Sequence, residues 1–510
     1  MKRWTLGLIF AVLLTSRLAH LDIVWVEEGY PAAAAIQMLD SGKILYKDIW
    51  FDKPAGIAYL YCLWGARTGL ALRLADTVFL FACCVLLYRF GRALWTEETG
   101  LVAAALLALA LTFGIPAAVM AIAPDLALVL PHIAAVYLAF LKRPVWAGAM
   151  AGIGFWINTK ALFVLASCAV FLVPGLDWLR LVTGFAAVTT IQFGLLAEQG
   201  ALAAYWDQVW RWGAMYARDS FIEHPLAYGL KQTLNWCGFQ ASAIAGVLAY
   251  FHNYWPRAYR AATAGSGEPR WNRQQRPHSR LTTPSGRGSV GVSITLILGN
   301  ERTQFTLWIL LSLIPITLGL RFFPRYYFQL LPVVCLLGAR GFTLSKRPIR
   351  YLMVALALIP VIRFGPRYTT LAMDLLAHRP HTWSDLALAQ DSDRVAHILQ
   401  NEPKGTLFIW GYRPDIYALS RLPAATPFLD SQPLSGVLAD RHLTNAHVSA
   451  PEWKARFVGT AAAAQPDYIV DGLGRLNPQI AIPTPWLGES YEVLADTGRS
   501  LVYRRRIAKH

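Results

Sequence analysis

The stretch DIVWVEEGYPAAAAIQMLDSGKILYKDIWFDKP, residues 22–54, decides how this chain is organised. It follows the first apolar segment directly, and the chain turns apolar again after its end. Most of the acidic side chains near any apolar segment belong to it: Asp22, Glu27, Glu28, Asp40, Asp48 and Asp52. Carboxylates are costly inside a bilayer, so a dense set beside one indicates a functional site at the membrane surface. A solvated acidic loop is the alternative interpretation.

The composition predicts a membrane protein. Of the 510 residues, 55% are hydrophobic and only 15% are charged, whereas soluble domains contain about 25% charged residues. Long apolar runs through the first 360 residues predict an α-helical polytopic membrane protein with about 10–13 transmembrane helices. The net charge of +16 comes from Arg and Lys in short loops and flanks, where they orient spans and contact anionic lipids rather than nucleic acid.

The first twenty residues, MKRWTLGLIFAVLLTSRLAH, read as an uncleaved first span. The segment has a basic start and an apolar middle, but no small-x-small cleavage site. With Lys2 and Arg3 inside the cell, the loop 22–54 lies outside the cytoplasm. We therefore predict a multi-pass protein of the inner (plasma) membrane with its site on the outer face.

Within the loop we predict a short helix over Pro31–Leu39, because proline suits the first turn and alanine is a strong helix former. Gly42 ends it. Glu27 and Glu28 then lie just before the helix N-terminus, where the helix dipole favours ionised carboxylates. That placement alone also explains them without any catalytic role.

Four predictions concern the apolar region. Residues 55–70 do not cross the membrane fully, which places Asp125 on the same face as the loop. The segment 145–174 is broken in its middle, and 230–251 is a single span. Residues 200–225 mix Trp and Tyr with charges and belong at the membrane surface.

The chain divides into a transmembrane domain, residues 1–365, and a soluble tail domain, residues 380–510. A basic insert at about 255–290, rich in Arg, Gly, Pro and Ser, is predicted to be disordered. In the tail, short β-like runs alternate with a helical stretch over 385–399, which predicts a small α/β domain. Those runs are 406–410, 467–470, 492–494 and 500–503. The six cysteines show neither a disulfide framework nor metal-ligand spacing.

Three further charged positions stand beside apolar segments. Asp125 follows a proline, where an aspartate also serves as a helix cap. Lys160 interrupts an apolar segment and needs a partner or a water-filled cavity, unless it snorkels from a loop. Arg325 with Tyr326 suits a phosphate at headgroup level, although an aromatic belt at the interface gives the same pattern.

The order of these motifs resembles the GT-C superfamily of membrane glycosyltransferases. The resemblance is to the branch of protein O-mannosyltransferases and the lipid A aminoarabinose transferase. It covers most of residues 1–360 and, more loosely, the tail. The motifs, in order after the loop, are LALRLAD (70–76), APDLAL (123–128), AGIGFWINTKALFVLA (151–166), RFFPRYYFQLLP (321–332) and IWGYRPDIYALSRLPA (409–424).

The resemblance implies transfer of a sugar from a polyprenyl-phosphate donor, with inversion at the anomeric carbon. The acceptor is a hydroxyl or phosphate on a lipid, glycan or protein. The implied general base is Glu27, with Glu28 as an alternate or orienting group and Asp125 as a second acid. The implied donor-phosphate ligands are Lys53, Lys160, Arg325 and Tyr326.

No cofactor or metal is expected, although a divalent metal would suit the chemistry. The chain departs from the family in three places. Its acidic pair is Glu27-Glu28 rather than Asp-Glu, and Ala55 follows Pro54 where a second proline is common. The basic insert at 255–290 has no counterpart in the family. The first departure leaves open which carboxylate is the base.

Two other function classes remain open at this stage. A transporter or flippase for a lipid-linked saccharide would also place charges between helices, but such proteins often show internal repeats and this sequence shows none. A structural membrane subunit would tolerate replacement of Glu27 or Asp125. Loss of function on those replacements separates the classes.

Overall fold

The computed structural model describes residues 2–219, 222–263, 300–380, 383, 385–438 and 446–506. The helices of the membrane domain are α1 Lys2–Leu18, α2 Val26–Ser41, α3 Gly56–Cys62, α4 Leu70–Leu94, α5 Glu97–Thr112, α6 Pro116–Val119, α7 Pro124–Ala127, α8 Val129–Phe140, α9 Pro144–Ile157, α10 Ala161–Val170, α11 Leu176–Glu198, α12 Leu202–Tyr205, α13 Trp212–Arg218, α14 Pro225–Phe239, α15 Ala241–Thr263, α16 Glu301–Thr317, α17 Leu331–Leu344, α18 Arg347–Phe364 and α19 Pro366–Leu376. A π-helix, Trp206–Arg211, precedes α13, and 3₁₀ turns at Leu318–Leu320 and Pro324–Gln329 follow α16.

Among the described residues, three helices are long and apolar enough to cross a membrane: Leu70–Leu94, Leu176–Glu198 and Glu301–Leu320. The pair α18 and α19, bent by 48° at their junction, counts as a fourth if it forms one span. Several apolar helices of 10–17 residues surround them. The chain is thus a helical protein of membrane type, and the count of about 10–13 spans stays a prediction.

Helices pack closely where their contact residues are small. A Cβ placed on Gly341 of α17 would lie 1.7 Å from the carbonyl oxygen of Gly246 on α15. Only glycine permits this approach, which is the usual device for joining helices that gain little from hydrophobic burial in lipid. Helices α9 and α11 form a second close pair, and α4 packs along α5.

The structure confirms two predictions about the apolar region. Helix α3 has only seven residues, so residues 55–70 hold no full span. The segment 145–174 divides into α9 and α10 at Asn158, Thr159 and Lys160.

Three boundaries were predicted wrongly. Helix α2 begins at Val26, not at Pro31, because the Glu28 carboxylate accepts a hydrogen bond from the Trp25 N–H and caps an earlier turn. Its predicted end is correct, with Gly42 in the left-handed conformation. The segment 230–251 is two helices, α14 and α15, which divide at Gln240. Helix α15 continues through residues 255–263 of the predicted insert, and the remainder of that insert lies outside the described residues.

The tail is a small α/β domain, as predicted. Its helices are α20 Leu386–Gln400, α21 Asp415–Ser420, α22 Gln432–Ser435, α23 Pro451–Ala463 and α24 Thr484–Leu487, and its strands are β1 Leu407–Trp410, β2 Tyr468–Asp471, β3 Tyr491–Asp496 and β4 Leu501–Arg505. The strand order is β1-β2-β4-β3. The first pair is parallel and the other two are antiparallel. Both parallel strands are buried along their length, which explains their continuous apolar sequences.

The tail domain docks directly on the loop 22–54. Helix α2 packs so closely on α21 that a Cβ on Gly29 would lie 2.7 Å from the Asp415 backbone. Gln37 Nε2 donates to the Leu422 carbonyl at 3.0 Å, and its Oε1 accepts from the Ala424 N–H at 2.7 Å. The loop and the tail therefore lie on the same side of the helical domain, a relation that the sequence left open.

Candidate active site

The adjacent glutamates of α2 have different surroundings. Glu28 is completely buried, and its two carboxylate oxygens each accept a hydrogen bond of 2.8 Å from the Arg73 guanidinium. Arg73 also donates to three backbone carbonyls, at residues 20, 23 and 120. With both oxygens occupied, Glu28 suits the orienting role and holds the start of α2 against α4.

A second buried pair continues this arrangement. Arg17 of α1 donates to Asp76 of α4 at 2.9 Å, and both side chains are inaccessible to solvent. Its remaining N–H groups reach Ser16 and the carbonyls of Leu111 and Val119. We call Glu28–Arg73 and Arg17–Asp76 the closed network. It joins α1, α2 and α4 to the chain around α5 and α6.

Glu27 lies on the opposite side of the first turn of α2 and remains 27% exposed. Its carboxylate pairs with Arg325, which lies 298 residues away in the 3₁₀ turn after α16. The structure thus brings together the residues predicted as base and as phosphate ligand. The first turn of α2 adds a favourable dipole for a negative charge at this point.

Asp125 and Lys160 form the next pair. Lys160 Nζ lies 2.7 Å from Asp125 Oδ1, and Asn158 Nδ2 donates to the same oxygen at 3.1 Å. The ammonium group also lies 3.4 Å from the centroid of the Tyr326 ring. The break between α9 and α10 therefore delivers Lys160 to a partner, as its position in an apolar segment required.

Lys53 completes the set of predicted cations. Its ammonium group lies 2.9 Å from Asp52 Oδ2, and the side chain is 39% exposed. Lys53 and Arg325 both act electrostatically on Lys160, so the three cations occupy one region. We call Glu27–Arg325, Asp125–Lys160 and Asp52–Lys53 the open cluster. Every predicted site residue except Glu28 belongs to it or contacts it.

Sequence reasoning did not assign Tyr216 to the site. The Arg321 guanidinium lies 3.7 Å from the centroid of the Tyr216 ring and donates to the carbonyls of Tyr216 and Asp219. Lys53 Nζ lies 5.9 Å from the same ring. Tyr216 thus lies beside Lys53 of the open cluster, and the Trp- and Tyr-rich pattern of its segment was the available signal.

The tail domain also reaches the site, through residues that no motif indicated. The Trp50 N–H donates to the Pro427 carbonyl at 2.8 Å, and Trp50 and Phe428 form a parallel β-bridge. Asp52 and Asp430 each lie two residues after one partner of this bridge, and Asp52 is near enough to act electrostatically on Asp430. Burial raises the pKa of Asp430 to about 7, and the charge of Asp52 adds to that rise.

Tyr412 follows β1 and closes this side of the site. Its ring centroid lies 6.3 Å from that of Tyr30 on α2. Burial raises the Tyr412 pKa well above its usual 10, and the neighbouring charges of Asp52 and Glu27 raise it further. The end of β1 therefore faces the open cluster, at the edge of a parallel pair where α/β domains commonly bind ligands.

A small apolar cleft of about 60 Å³ lies behind the 3₁₀ turn that carries Arg325. It runs between that turn, the end of α5 and helix α14, and Pro324, Tyr327 and Phe328 form one wall. The described residues contain no group of three or more His, Cys, Asp or Glu side chains placed to hold a metal ion. The expectation that no metal is needed stays a prediction.

Fold and site together define a helical membrane protein whose charged site lies between its first loop and its tail domain. The crystal structure of ArnT from Cupriavidus metallidurans bound to undecaprenyl phosphate shares this fold, with a TM-score of 0.54, 15% identity and 98% coverage of both chains. ArnT is the lipid A aminoarabinose transferase, a GT-C superfamily member. The predicted resemblance is thus confirmed as a GT-C-type fold.

Two further solved structures align less closely. ArnT from the same organism in the apo state gives a TM-score of 0.43 at 14% identity, with 98% of this chain and 97% of that chain covered. The archaeal oligosaccharyltransferase AglB from Archaeoglobus fulgidus, in complex with an inhibitory peptide and a dolichol-phosphate, gives 0.43 at 13% identity, with 93% and 70% covered. No protein-family model and no curated protein matches the sequence.

Proposed function

We propose that this protein is a membrane glycosyltransferase that moves a sugar from a polyprenyl-phosphate donor to a hydroxyl or phosphate acceptor on the outer face of the inner membrane. The observation that carries the proposal is the open cluster. It pairs Arg325 with the half-buried carboxylate of Glu27, and Lys160 and Lys53 lie in the same region as Arg325. The shared fold with ArnT bound to undecaprenyl phosphate supports it.

The cations suit the phosphate of the donor. A phosphodiester oxygen is a strong acceptor, and charge-assisted hydrogen bonds from Arg and Lys are about twice as strong as neutral ones. Lys160 and Arg325 come from separate elements that meet beside Tyr326. The apolar cleft behind Arg325 offers a place for the start of the prenyl chain, so headgroup and chain would bind on adjacent surfaces.

Donor binding would also release the base. Without a donor, Glu27 pairs with Arg325. An arriving phosphate competes for this guanidinium and leaves the Glu27 carboxylate able to accept a proton. In the reaction the acceptor oxygen loses its proton to Glu27 and bonds to the anomeric carbon. The bond from that carbon to the phosphate oxygen breaks, and the phosphate leaves with the electron pair, inverting the carbon.

Other roles follow from the contacts. Asp125 holds Lys160 in place and is the alternate acid. Glu28 orients α2 through Arg73. Proton removal by a positioned carboxylate contributes about 10²–10⁴-fold, and electrostatic stabilisation of the leaving phosphate is comparable.

Because three cations already face the site, we expect transfer without a metal. Loss of transfer with a chelator, restored by Mn²⁺, would contradict this.

The test is transfer of radiolabelled sugars from undecaprenyl phosphate by the purified protein in lipid, with cell-envelope extract as acceptor. We expect label to move to an acceptor, and Glu27→Gln and Asp125→Asn to prevent this. The matched control is Glu402→Gln, which removes a partly exposed glutamate–arginine pair in the tail. Movement of labelled lipid between leaflets without transfer would instead support the alternative function, a flippase for a lipid-linked saccharide.

A further inference from the structure

The strongest unexplained feature of the site is a pair of carboxylates contributed by two domains. Asp52 lies in the first loop and Asp430 in the tail, and each is two residues beyond one partner of the Trp50–Phe428 bridge, which joins these two segments. Burial is the main cause of the raised pKa of Asp430, and the charge of Asp52 adds to it. Two carboxylates held together cost electrostatic energy. A role that needs both would explain the arrangement.

Asp52 has unused hydrogen-bonding capacity. Its side chain is only 7% exposed, and Oδ2 accepts from Lys53 at 2.9 Å. Its Oδ1 is buried and has no hydrogen-bond partner within the described part of the chain. A buried carboxylate oxygen left unpaired is costly. A donor from outside the protein can supply the missing hydrogen bond at this atom.

Asp430 is held ready for the same purpose. The Gln432 N–H donates to Oδ1 at 2.8 Å and the Gln432 amide to Oδ2 at 3.3 Å, which fixes the orientation of the carboxyl group. Each carboxylate oxygen can accept a second bond. Ser431 anchors the segment to the end of β1 by accepting from the Gly411 N–H at 3.0 Å.

The position relative to Lys53 defines the ligand. Lys53 bonds Asp52 and is one of the proposed phosphate ligands. The group attached to that phosphate is the sugar, whose hydroxyls are hydrogen-bond donors. We propose that Asp430 and Asp52 bind hydroxyl groups of the donor sugar, so that the tail domain determines which sugar is accepted. The inference rests on the proposed function in taking a sugar-phosphate lipid as the ligand.

The test is a binding measurement on the full-length protein in lipid nanodiscs. The probes are undecaprenyl phosphate and its mannosyl, glucosyl, galactosyl and arabinosyl esters. For each variant the quantity of interest is the Kd of undecaprenyl phosphate divided by the Kd of each ester. A hydrogen bond to a charged group accounts for about 10- to 100-fold in affinity. We therefore expect at least one ester to give a ratio of about 10 or more.

Asp430→Asn should reduce that ratio by about 10-fold and leave binding of undecaprenyl phosphate itself almost unchanged. The matched control is Asp471→Asn. Asp471 is a buried tail aspartate at the end of β2 that accepts from the Leu473 and Gly474 N–H groups. We expect the control to keep the wild-type ratio.

Three results would overturn the inference: no ester binds better than undecaprenyl phosphate, the ratio survives Asp430→Asn, or that variant weakens both lipids equally. The transfer assay separates this outcome from failure of the proposed function. If the ratio depends on the sugar and Asp430→Asn removes that dependence, but no transfer occurs, the proposed transferase activity is contradicted and the sugar-binding inference is not. Glu27-dependent transfer with an unchanged ratio contradicts the inference alone.

Discussion

The closed network and the open cluster are built from the same side-chain types, yet they differ in access to solvent. In the closed network both ion pairs are completely buried, and Arg73 bonds five acceptor atoms. In the open cluster every pair keeps some contact with solvent, and Lys53 and Glu27 are 39% and 27% exposed. The buried pairs therefore stabilise the frame, whereas the accessible ones remain able to bind a ligand.

The largest expected effect is on the closed network. Arg73→Met leaves Glu28 buried without its partner, which costs about 3–5 kcal/mol. We expect a collapse in purified yield and a strongly lowered unfolding temperature in detergent. The double variant Arg73→Met with Glu28→Leu removes both charges and should recover most of the loss. A normal unfolding temperature in Arg73→Met would show that the network is dispensable.

The next effect separates the two glutamates. Glu27→Gln should lower the transfer rate by about 10²–10⁴-fold with folding and donor binding nearly intact, because it removes the proposed base and only a partly exposed ion pair, with Arg325. Glu28→Gln should instead lower the unfolding temperature. Single-turnover transfer and thermal unfolding of both variants make the comparison. Ordinary turnover in Glu27→Gln would contradict the base assignment.

A smaller effect is expected at Lys160. Lys160→Met removes one cation from the phosphate region, and we expect donor affinity to fall by about 10- to 100-fold. Asp125 retains its bond from Asn158, so the local fold should persist. Titration with undecaprenyl phosphate in nanodiscs measures the change. An unchanged affinity would assign Lys160 to structure.

The pH dependence of stability tests the raised pKa of Asp430, which lies where the tail domain meets the first loop. The pKa of Asp430 is raised to about 7 in the folded protein, so the folded state binds a proton that the unfolded state has already released above about pH 4. This contribution is complete below pH 4 and is lost as pH rises to 7. Between pH 5 and 8 the loss is on the order of 2 kcal/mol. The free energy of unfolding of Asp430→Asn should change less between pH 5 and 8 than that of the wild type. An equal change in both proteins would contradict the raised pKa of Asp430.

The smallest effect belongs to the exposed pair Arg421–Asp40, which joins the tail to α2 at 2.8 Å with more than a third of each side chain exposed. Asp40→Asn should cost about 0.2–1 kcal/mol, and high salt should remove the difference. Unfolding at 0.05 M and 1 M NaCl, as chosen conditions spanning the screening range, provides the measurement. If Asp40→Asn lowered the free energy of unfolding as much as Arg73→Met does, exposed and buried ion pairs would not differ in their contribution to stability.

The sequence predicted the elements better than the contacts. Apolar runs and turn residues located the first helix, the break between α9 and α10, helix α20 and the four strands of the described tail, because those signals are local. It also selected Glu27, Lys53 and Arg325 by resemblance. It did not distinguish the roles of Glu27 and Glu28. The difference arises because both lie in the first turn of the helix that starts at Val26, where neighbouring side chains point in different directions. Asp430 escaped because its neighbour in space, Asp52, lies 378 positions away in the chain and shares no pattern with it.

The docking of the tail on the first loop has a consequence for synthesis. A ribosome makes Asp52 early and Asp430 only after several hundred further residues, so the two segments that the Trp50–Phe428 bridge joins come from opposite ends of synthesis. The contacts of the closed network lie within residues 16–120, and all their residues are made long before the tail. A protein truncated before β1 would therefore keep the residues of the closed network and the Glu27–Arg325 pair, but it would lack Asp430 of the proposed sugar site.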